Sequence, residues 1–437
     1  MKKNYLPLAI NRYIGTILVS TVFYLTWVYV YSEKIISPIY WKGNILFLVL
    51  YLAIFFLVNE MYDGYGIGHV RFHEIILSNY LALLITNFLI YIISSLVARM
   101  ILDIWTYGIM TAGQMVILLI WGFTANKIHF MMEKPKRMLF VSDQKIIKEN
   151  LKLNFAAIPQ KYQIEKQIEA KTITDDFLSQ CQGYDGVIIA GLEGKQQRAI
   201  IKYCFENKIV LYAYPGISAI LEKSSEIIMV KDAPFFYYRN NRNRNYLLKR
   251  VADLLFSLIG LILCCPLFLV VALLIYLEDH GPVFYSQKRV TLNGKVFVLH
   301  KFRSMIVDAE ENGAILSTKE DARITKIGRI IRRYRIDELP QLFNILMGDM
   351  SIVGPRPERP ELIEELKKTI PEYDFRLRVK AGLTGYAQIV GRYNTNPLDK
   401  LKLDLIYIND CSLLMDITII MKTLKTVFTE SSTEGFD

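Results

Sequence analysis

Leu254–Leu277 reads LLFSLIGLILCCPLFLVVALLIYL, twenty-four residues without a charge. Whether this run crosses a membrane decides on which side everything after it lies. It is long enough to cross, since a transmembrane helix needs about 20 apolar residues. Its flanks argue otherwise. Arg239–Arg250 (RNNRNRNYLLKR) holds five basic residues and no acid, and Lys288, Arg289 and Lys295 follow the run. Both flanks therefore favour the same, cytoplasmic side. Cys265-Pro266 lies mid-run, where proline removes a backbone donor and clashes with the carbonyl of Ile262, so the helix must kink or break. A helix that enters one leaflet over 254–277, turns at the proline and returns satisfies both features. A fifth transmembrane helix is the alternative.

Span parity supports the re-entrant reading. Upstream come four more uncharged runs, Tyr13–Tyr31, Gly43–Asn59, Ile75–Ala98 and Ile104–Asn126, of 17 to 24 residues each. Four in succession read as a transmembrane bundle over 1–130 rather than as buried core helices, and the first lacks the small-residue cleavage site of a signal peptide. Lys2, Lys3 and Arg12 precede the first run and Lys127, Lys134, Lys136 and Arg137 follow the fourth. Both ends are thus expected in the cytoplasm, and a fifth crossing would put 280–437 outside. No Asp, Glu, Lys or Arg interrupts the four runs, so no ion or proton path is evident and a transporter is disfavoured.

Composition agrees with a membrane chain that carries soluble parts. The 437 residues suffice for about three domains. Hydrophobic residues make up 52% and charged residues 22%, too apolar for one soluble enzyme and too charged for a pure transporter. Disorder, collagen and secreted disulfide scaffolds are excluded. The net charge of +10 suits an anionic partner such as phosphates, acidic headgroups or nucleic acid. Cys181, Cys204, Cys264, Cys265 and Cys411 form no CxxC, which fits a reducing compartment without a metal knuckle.

Over 137–236 the pattern changes. Met138–Val141, Gly186–Ala190 and Ile209–Ala213 read as buried parallel strands, with Lys195–Asn207 as a helix between the last two. A small Rossmann-like module follows from this alternation. Its first strand leads into VSDQKIIKEN, with no GxGxxG to bring backbone close to a pyrophosphate, so a structural or regulatory role is expected rather than dinucleotide binding.

The region 245–437 is dense in phosphate-handling residues: HKFRSM (His300–Met305), DARITKIGRIIRRYRIDELPQL (Asp321–Leu342), GDMSIVGPRPE (Gly348–Glu358) and AGLTGYAQIVGR (Ala381–Arg392). Arginines and lysines beside Gly and Pro turns suit a rigid anion cradle. Among them stand two adjacent carboxylates, Asp337 and Glu338, before Leu339-Pro340. Proline favours the first helical position, which puts the pair near a helix N-terminus. Taken alone, Asp337 would cap that helix and Glu338 would pair with a surface arginine.

Four motifs in one order within about ninety residues make the chain recognisable. It resembles the polyprenyl-phosphate hexose-1-phosphate transferases, the monotopic phosphoglycosyl transferases, in their long form with a four-helix N-terminal bundle. The resemblance implies a transmembrane α-helical bundle, an α/β Rossmann-like module and an α/β catalytic domain with a re-entrant helix. It implies that Asp337 attacks the sugar-bearing phosphate of a UDP-sugar and releases UMP, and that undecaprenyl phosphate then takes the phosphosugar from the aspartate. Glu338, with Asp337, would work with Mg²⁺. Arg332 and Arg356 match substrate-phosphate ligands, Lys301 and Arg303 a cationic pair near the site, and Asp404 of LDLIYI an acidic position of the family. The family breaks its helix at Ser-Pro where this chain has Cys265-Pro266. The implied location is the bacterial cytoplasmic membrane, with the catalytic domain on the cytoplasmic side and the lipid bilayer as a partner.

The physics agrees with that mechanism. Displacing UMP from a diphosphate needs charge neutralisation, which a divalent cation and arginines supply. A carboxylate nucleophile divides a transfer between a soluble and a lipid-borne substrate into two steps. A membrane-anchored nucleotide-sugar dehydratase would need the missing glycine fingerprint. A non-catalytic scaffold would have no reason to keep Asp337, Glu338, Lys301 and Arg356 together. Nucleic-acid binding is remote, because the chain lacks an aromatic-basic platform. The sugar is not legible; UDP-glucose and UDP-galactose are the family's common donors, with glucose slightly favoured. A homodimer through the bundle or the middle module is left open.

Overall fold

The computed structural model describes residues 6–32, 40–68, 70–143, 155, 158–169, 175–192, 194–238, 246–307, 309, 321–391 and 395–427. The chain forms two compact units, Met1–Pro215 and Gly216–Asp437.

The first unit begins with four long helices: α1 (Leu6–Thr26, prolonged by a π turn to Tyr31), α2 (Trp41–Met61), α3 (Phe72–Ala98) and α4 (Ile104–Met132). Each packs on its sequence neighbour and α1 also packs on α4, which closes a bundle. Apolar side chains face outward as readily as inward, so hydrophobicity alone does not fix the helix register. A polar network does. Tyr51 OH donates to Asn87 Oδ1 at 2.8 Å, Asn87 Nδ2 to Gln114 Oε1 at 2.8 Å, and Gln114 Nε2 to Val19 O at 2.8 Å. One chain of hydrogen bonds thus crosses all four helices, where a polar group facing lipid would be costly.

A parallel sheet follows, in the order β2 (Tyr162–Glu169), β1 (Lys136–Ser142), β3 (Gly186–Ala190), β4 (Val210–Ala213). The helix Gly194–Glu206 links β3 to β4. The expected strands and helix fall within two residues of these bounds, but β4, expected to be buried, lies at the sheet edge with no fully buried residue. Strand β2 was not expected: its YQIEKQIE is polar on an edge and nowhere fully buried. Cys181 and Cys204 are buried in this core and form no disulfide. Residues 144–150 of the VSDQKIIKEN loop lie outside the described residues.

The second unit starts earlier than the motifs suggest. The helix Ile217–Lys223 packs through Ile220 on Leu401 and Leu405, and Asn409 Nδ2 donates to Ile220 O at 3.4 Å. An antiparallel hairpin, β5 (Glu226–Val230) with β6 (Ala233–Tyr237), comes next. Then runs a single helix, Tyr246–Asp279, with Pro266 in its interior. The chain therefore stays helical across Cys265-Pro266, and of the two expected outcomes a complete break is not the one realised. Proline removes one donor, while packing on both sides, Leu261 against the core around Phe297 and Leu342 and Phe268 against Phe302, holds the two halves.

Beyond it, β7 (Phe284–Val290) and β8 (Val296–Phe302) form a hairpin, and β9 (Ser351–Val353) pairs in parallel with β10 (Gly382–Thr384). Short helices fill the rest. Among the described residues five helices are long and apolar enough to cross a membrane, and Tyr246–Asp279 is the most apolar and the least covered by protein.

Candidate active site

The helix Lys326–Arg333 ends at Tyr334, and the chain reverses at Arg335, whose φ of 55° is left-handed. Such a conformation is uncommon outside glycine. The reversal throws Ile336–Glu338 into a short 3₁₀ turn ahead of the helix Gln341–Met347. Neither carboxylate caps that helix; its first position is flanked by Pro340 and no side chain bonds there. Asp337 and Glu338 instead point into the body of the unit, where Asp337 is only 9% exposed.

Three segments meet there. Strand β8 brings Lys301, whose Nζ donates to Glu338 Oε1 at 3.3 Å. The loop after β9 brings Arg356, whose Nη2 donates to the same oxygen at 3.0 Å. The last turn of Lys326–Arg333 brings Arg332, whose charge acts on Asp337. Burial opposes ionisation of Glu338, but Arg356, Lys301 and Arg335 outweigh it and hold the carboxyl well below the usual range. Asp337 goes the other way. Burial first, then the Glu338 charge, push it up to about 6, although Lys301, Arg332 and Arg356 oppose them. Burial lowers the Lys301 amine, and Glu338 raises the Arg356 guanidinium. Two neighbouring carboxylates are thereby driven apart, Glu338 towards the anion and Asp337 towards the neutral acid, as at acid and nucleophile sites.

Two expected site residues sit elsewhere. Arg303 grips Asp279 at the end of the long helix with both guanidinium nitrogens, and its Nε donates to Pro282 O at 2.6 Å. It has turned away from the carboxylate pair. Asp404 is buried against Arg376 at 2.8 Å. Burial pushes Asp404 up to about 6. Arg376 Nη2 in turn donates to the backbone carbonyl of Arg356 at 3.0 Å, and Glu358 lies 3.5 Å from Nη1. Asp404 therefore supports the Arg356 loop from behind.

Arg335 and Arg376 escaped the sequence reading. Arg335 could have been found, since it stands two residues before Asp337. Arg376 carries no local signal.

Among the described residues no three or more His, Cys, Asp or Glu side chains converge as a metal cluster. The adjacent carboxylates nonetheless fit Mg²⁺, which takes one or two protein carboxylates, keeps waters and binds substrate phosphates. Both cations use Oε1 of Glu338.

Residues 244–430 match the family described as bacterial sugar transferase. The chain is similar to the Aeromonas hydrophila UDP-N-acetylgalactosamine-undecaprenyl-phosphate N-acetylgalactosaminephosphotransferase, 42% identical over 185 residues, 42% of this chain and 44% of that protein. It is similar to a Bacillus subtilis protein provisionally named undecaprenyl-phosphate N-acetylgalactosaminyl 1-phosphate transferase, 54% identical over 130 residues, 30% of this chain and 73% of that one. The Salmonella typhimurium undecaprenyl-phosphate galactose phosphotransferase is 36% identical over 252 residues, 53% of this chain and 51% of it. The shared part is thus about half the length of the first and third relatives. The match spans every segment that meets at the carboxylate pair, and on this ground the chain belongs to the bacterial sugar transferase family.

Proposed function

We propose that this chain transfers a hexose 1-phosphate from a UDP-sugar to undecaprenyl phosphate at a bacterial cytoplasmic membrane, as a first membrane step of surface-glycan assembly. The observation that carries this is the carboxylate pair itself, with Asp337 buried and its carboxyl raised by burial beside Glu338, whose Oε1 accepts from Lys301 and Arg356. In its ionised form an oxygen of Asp337 attacks the sugar-bearing phosphorus. The phosphorus–oxygen bond to the UMP moiety breaks, and UMP departs with the bridging oxygen. A phosphate oxygen of the lipid then attacks the aspartyl phosphate, yields the diphosphate-linked sugar and frees Asp337. Arg356, half exposed, and Arg332 are placed to neutralise the phosphates. When bound, Mg²⁺ would be held by Glu338 and Asp337 and supply further charge neutralisation.

The long helix is read as lying within one leaflet, bent rather than broken at Pro266. Supporting this, both its ends are fastened to the same body: Lys249 Nζ donates to Asp416 at 2.6 Å near the start, and Asp279 binds Arg303 at the end. A helix crossing the bilayer would carry one of those anchors to the other side. The four-stranded parallel sheet of the first unit is read as a Rossmann-like module without a dinucleotide. The relatives differ in the sugar they are named for, so the donor stands here as a UDP-hexose or UDP-N-acetylhexosamine.

Purified full-length protein incubated with a panel of UDP-sugars, Mg²⁺ and undecaprenyl phosphate should release UMP with one of them. Without lipid, intact-protein mass spectrometry should find a phosphosugar adduct that maps to Asp337 and is missing from Asp337→Asn. An adduct on another residue, or full activity in Asp337→Asn, rejects the mechanism. Glu338→Gln should lose most activity and change its Mg²⁺ dependence.

A further inference from the structure

The helix Tyr246–Asp279 carries five charged residues, and all lie near its ends: Lys249, Arg250, Asp253, Glu278 and Asp279. Arg250 and Asp253 reach segments on either side of the carboxylate pair, and Lys249 Nζ also donates to Val353 O at 3.0 Å. Arg250 Nη1 donates to Ile345 O at 2.6 Å and Nη2 to Leu346 O at 2.9 Å. These carbonyls lie in the last turn of the helix Gln341–Met347, which follows the Asp337–Glu338 turn. Asp253 lies three residues on, and so on the same helix face. It accepts from Ser351 Oγ at 2.8 Å and from Ile352 N at 2.9 Å, at the start of β9.

From β9 the path to Arg356 is short and stiff. Gly354 N donates to Thr384 O and Gly382 N to Pro355 O, each at 2.9 Å. The backbones approach so closely that a Cβ on Gly354 would lie 2.3 Å from Lys380 O. A displacement at Ser351 therefore passes on to Arg356. The circuit closes at the Glu338–Arg356 contact of 3.0 Å.

We propose that Arg250 and Asp253 are positioning residues for the transfer reaction, one turn of the membrane helix fixing the separation between the segment that bears Glu338 and the segment that bears Arg356. The idea rests on the transfer reading above. Asp253 is only 5% exposed, and a carboxylate placed on an apolar helix is costly unless its hydrogen bonds are made. Those bonds go to the strand that leads to Arg356, and the bonds of Arg250 go to the helix behind Glu338. A bilayer that orients this helix thereby acts on the geometry of the reacting groups.

The test uses full-length protein in lipid nanodiscs, with UMP release by the wild type measured first. Asp253→Ala should lower kcat about 10²-fold, the scale of a misplacement of about 1 Å at reacting groups. KM for the UDP-sugar should stay near the wild-type value. Asp253→Asn, which keeps one acceptor, and Arg250→Lys, which keeps one donor to the carbonyls, should each recover part of kcat. A folded Asp253→Ala with wild-type kcat overturns the proposal. So does a kcat that falls only in step with the folded fraction, because that marks a purely structural role. Should Asp253→Ala not fold, Arg250→Ala, which removes both donors to the carbonyls, with wild-type kcat overturns it equally. If the wild type releases no UMP from any UDP-sugar, the transfer reading itself fails and the proposal falls with it.

Discussion

Arg376 ion-pairs with Asp404 at 2.8 Å, and the same terminal nitrogen donates to the backbone carbonyl of Arg356 at 3.0 Å. The acid of LDLIYI thus reaches the Arg356 loop through one guanidinium. Removing it leaves Arg376, 4% exposed, buried without its main counter-charge. Asp404→Ala should therefore cost about 3–5 kcal/mol of stability, the scale for breaking a buried pair from one side. Thermal unfolding in detergent measures it. A stable Asp404→Ala with a raised KM would instead make Asp404 a substrate ligand.

Asp337→Asn should not destabilise the protein at neutral pH. The folded pKa of Asp337, pushed up to about 6 by burial and by Glu338, lies above the ordinary 3.8. A raised carboxyl favours the protonated fold, so its contribution is full below the unfolded pKa and is lost as pH rises through about 6. At about pH 8 the buried anion is a net cost that the neutral amide avoids. The variant's Tm should equal or exceed wild type there, and the excess should vanish towards pH 4. A variant less stable than wild type across the range contradicts this.

The same group sets an activity profile. As the proposed nucleophile, Asp337 must be ionised, so kcat/KM should climb as pH passes through about 6 and level off above it. Arg332 is one of the cations that hold the carboxyl down, and Arg332→Gln should move the climb to higher pH. An unmoved profile would show that Arg332 does not act on Asp337.

Arg303→Gln should behave as a structural lesion. Its guanidinium, 6% exposed, closes the end of the long helix on Asp279 and Pro282. A lower Tm with KM for the UDP-sugar unchanged is expected. A raised KM in a protein of normal Tm would return Arg303 to the substrate cradle.

Topology is open to labelling. Asn293 lies at the tip of the β7–β8 hairpin, in a left-handed turn with φ of 56°. In a cysteine-free background, Asn293→Cys should resist a membrane-impermeant thiol reagent applied to intact cells and react once they are permeabilised. Reaction from outside would make Tyr246–Asp279 a spanning helix.

What the sequence determined by itself is local. Uncharged runs of sufficient length become helices because a helix satisfies its backbone within one segment, and α1 to α4 follow from that. The apolar strands Met138–Val141 and Gly186–Ala190 are legible because both faces of a central parallel strand are buried. The Asp337–Glu338 pair is legible from its company of cations. The polar edge strand β2 is not, since an edge has no core to demand apolar residues. Nor can sequence say which cation meets which acid. Lys301 and Arg303 stand two residues apart in one motif, yet β8 ends at Phe302, so Lys301 stays on the strand facing Glu338 while Arg303 swings to Asp279. Asp404 likewise finds Arg376 only through the packing of a distant helix. Pro266 loses its donor whatever surrounds it, but whether the helix ends there depends on what grips the two halves. Charge pairing and helix continuity here are decided by contacts between residues far apart in the chain, and only the tertiary structure supplies those.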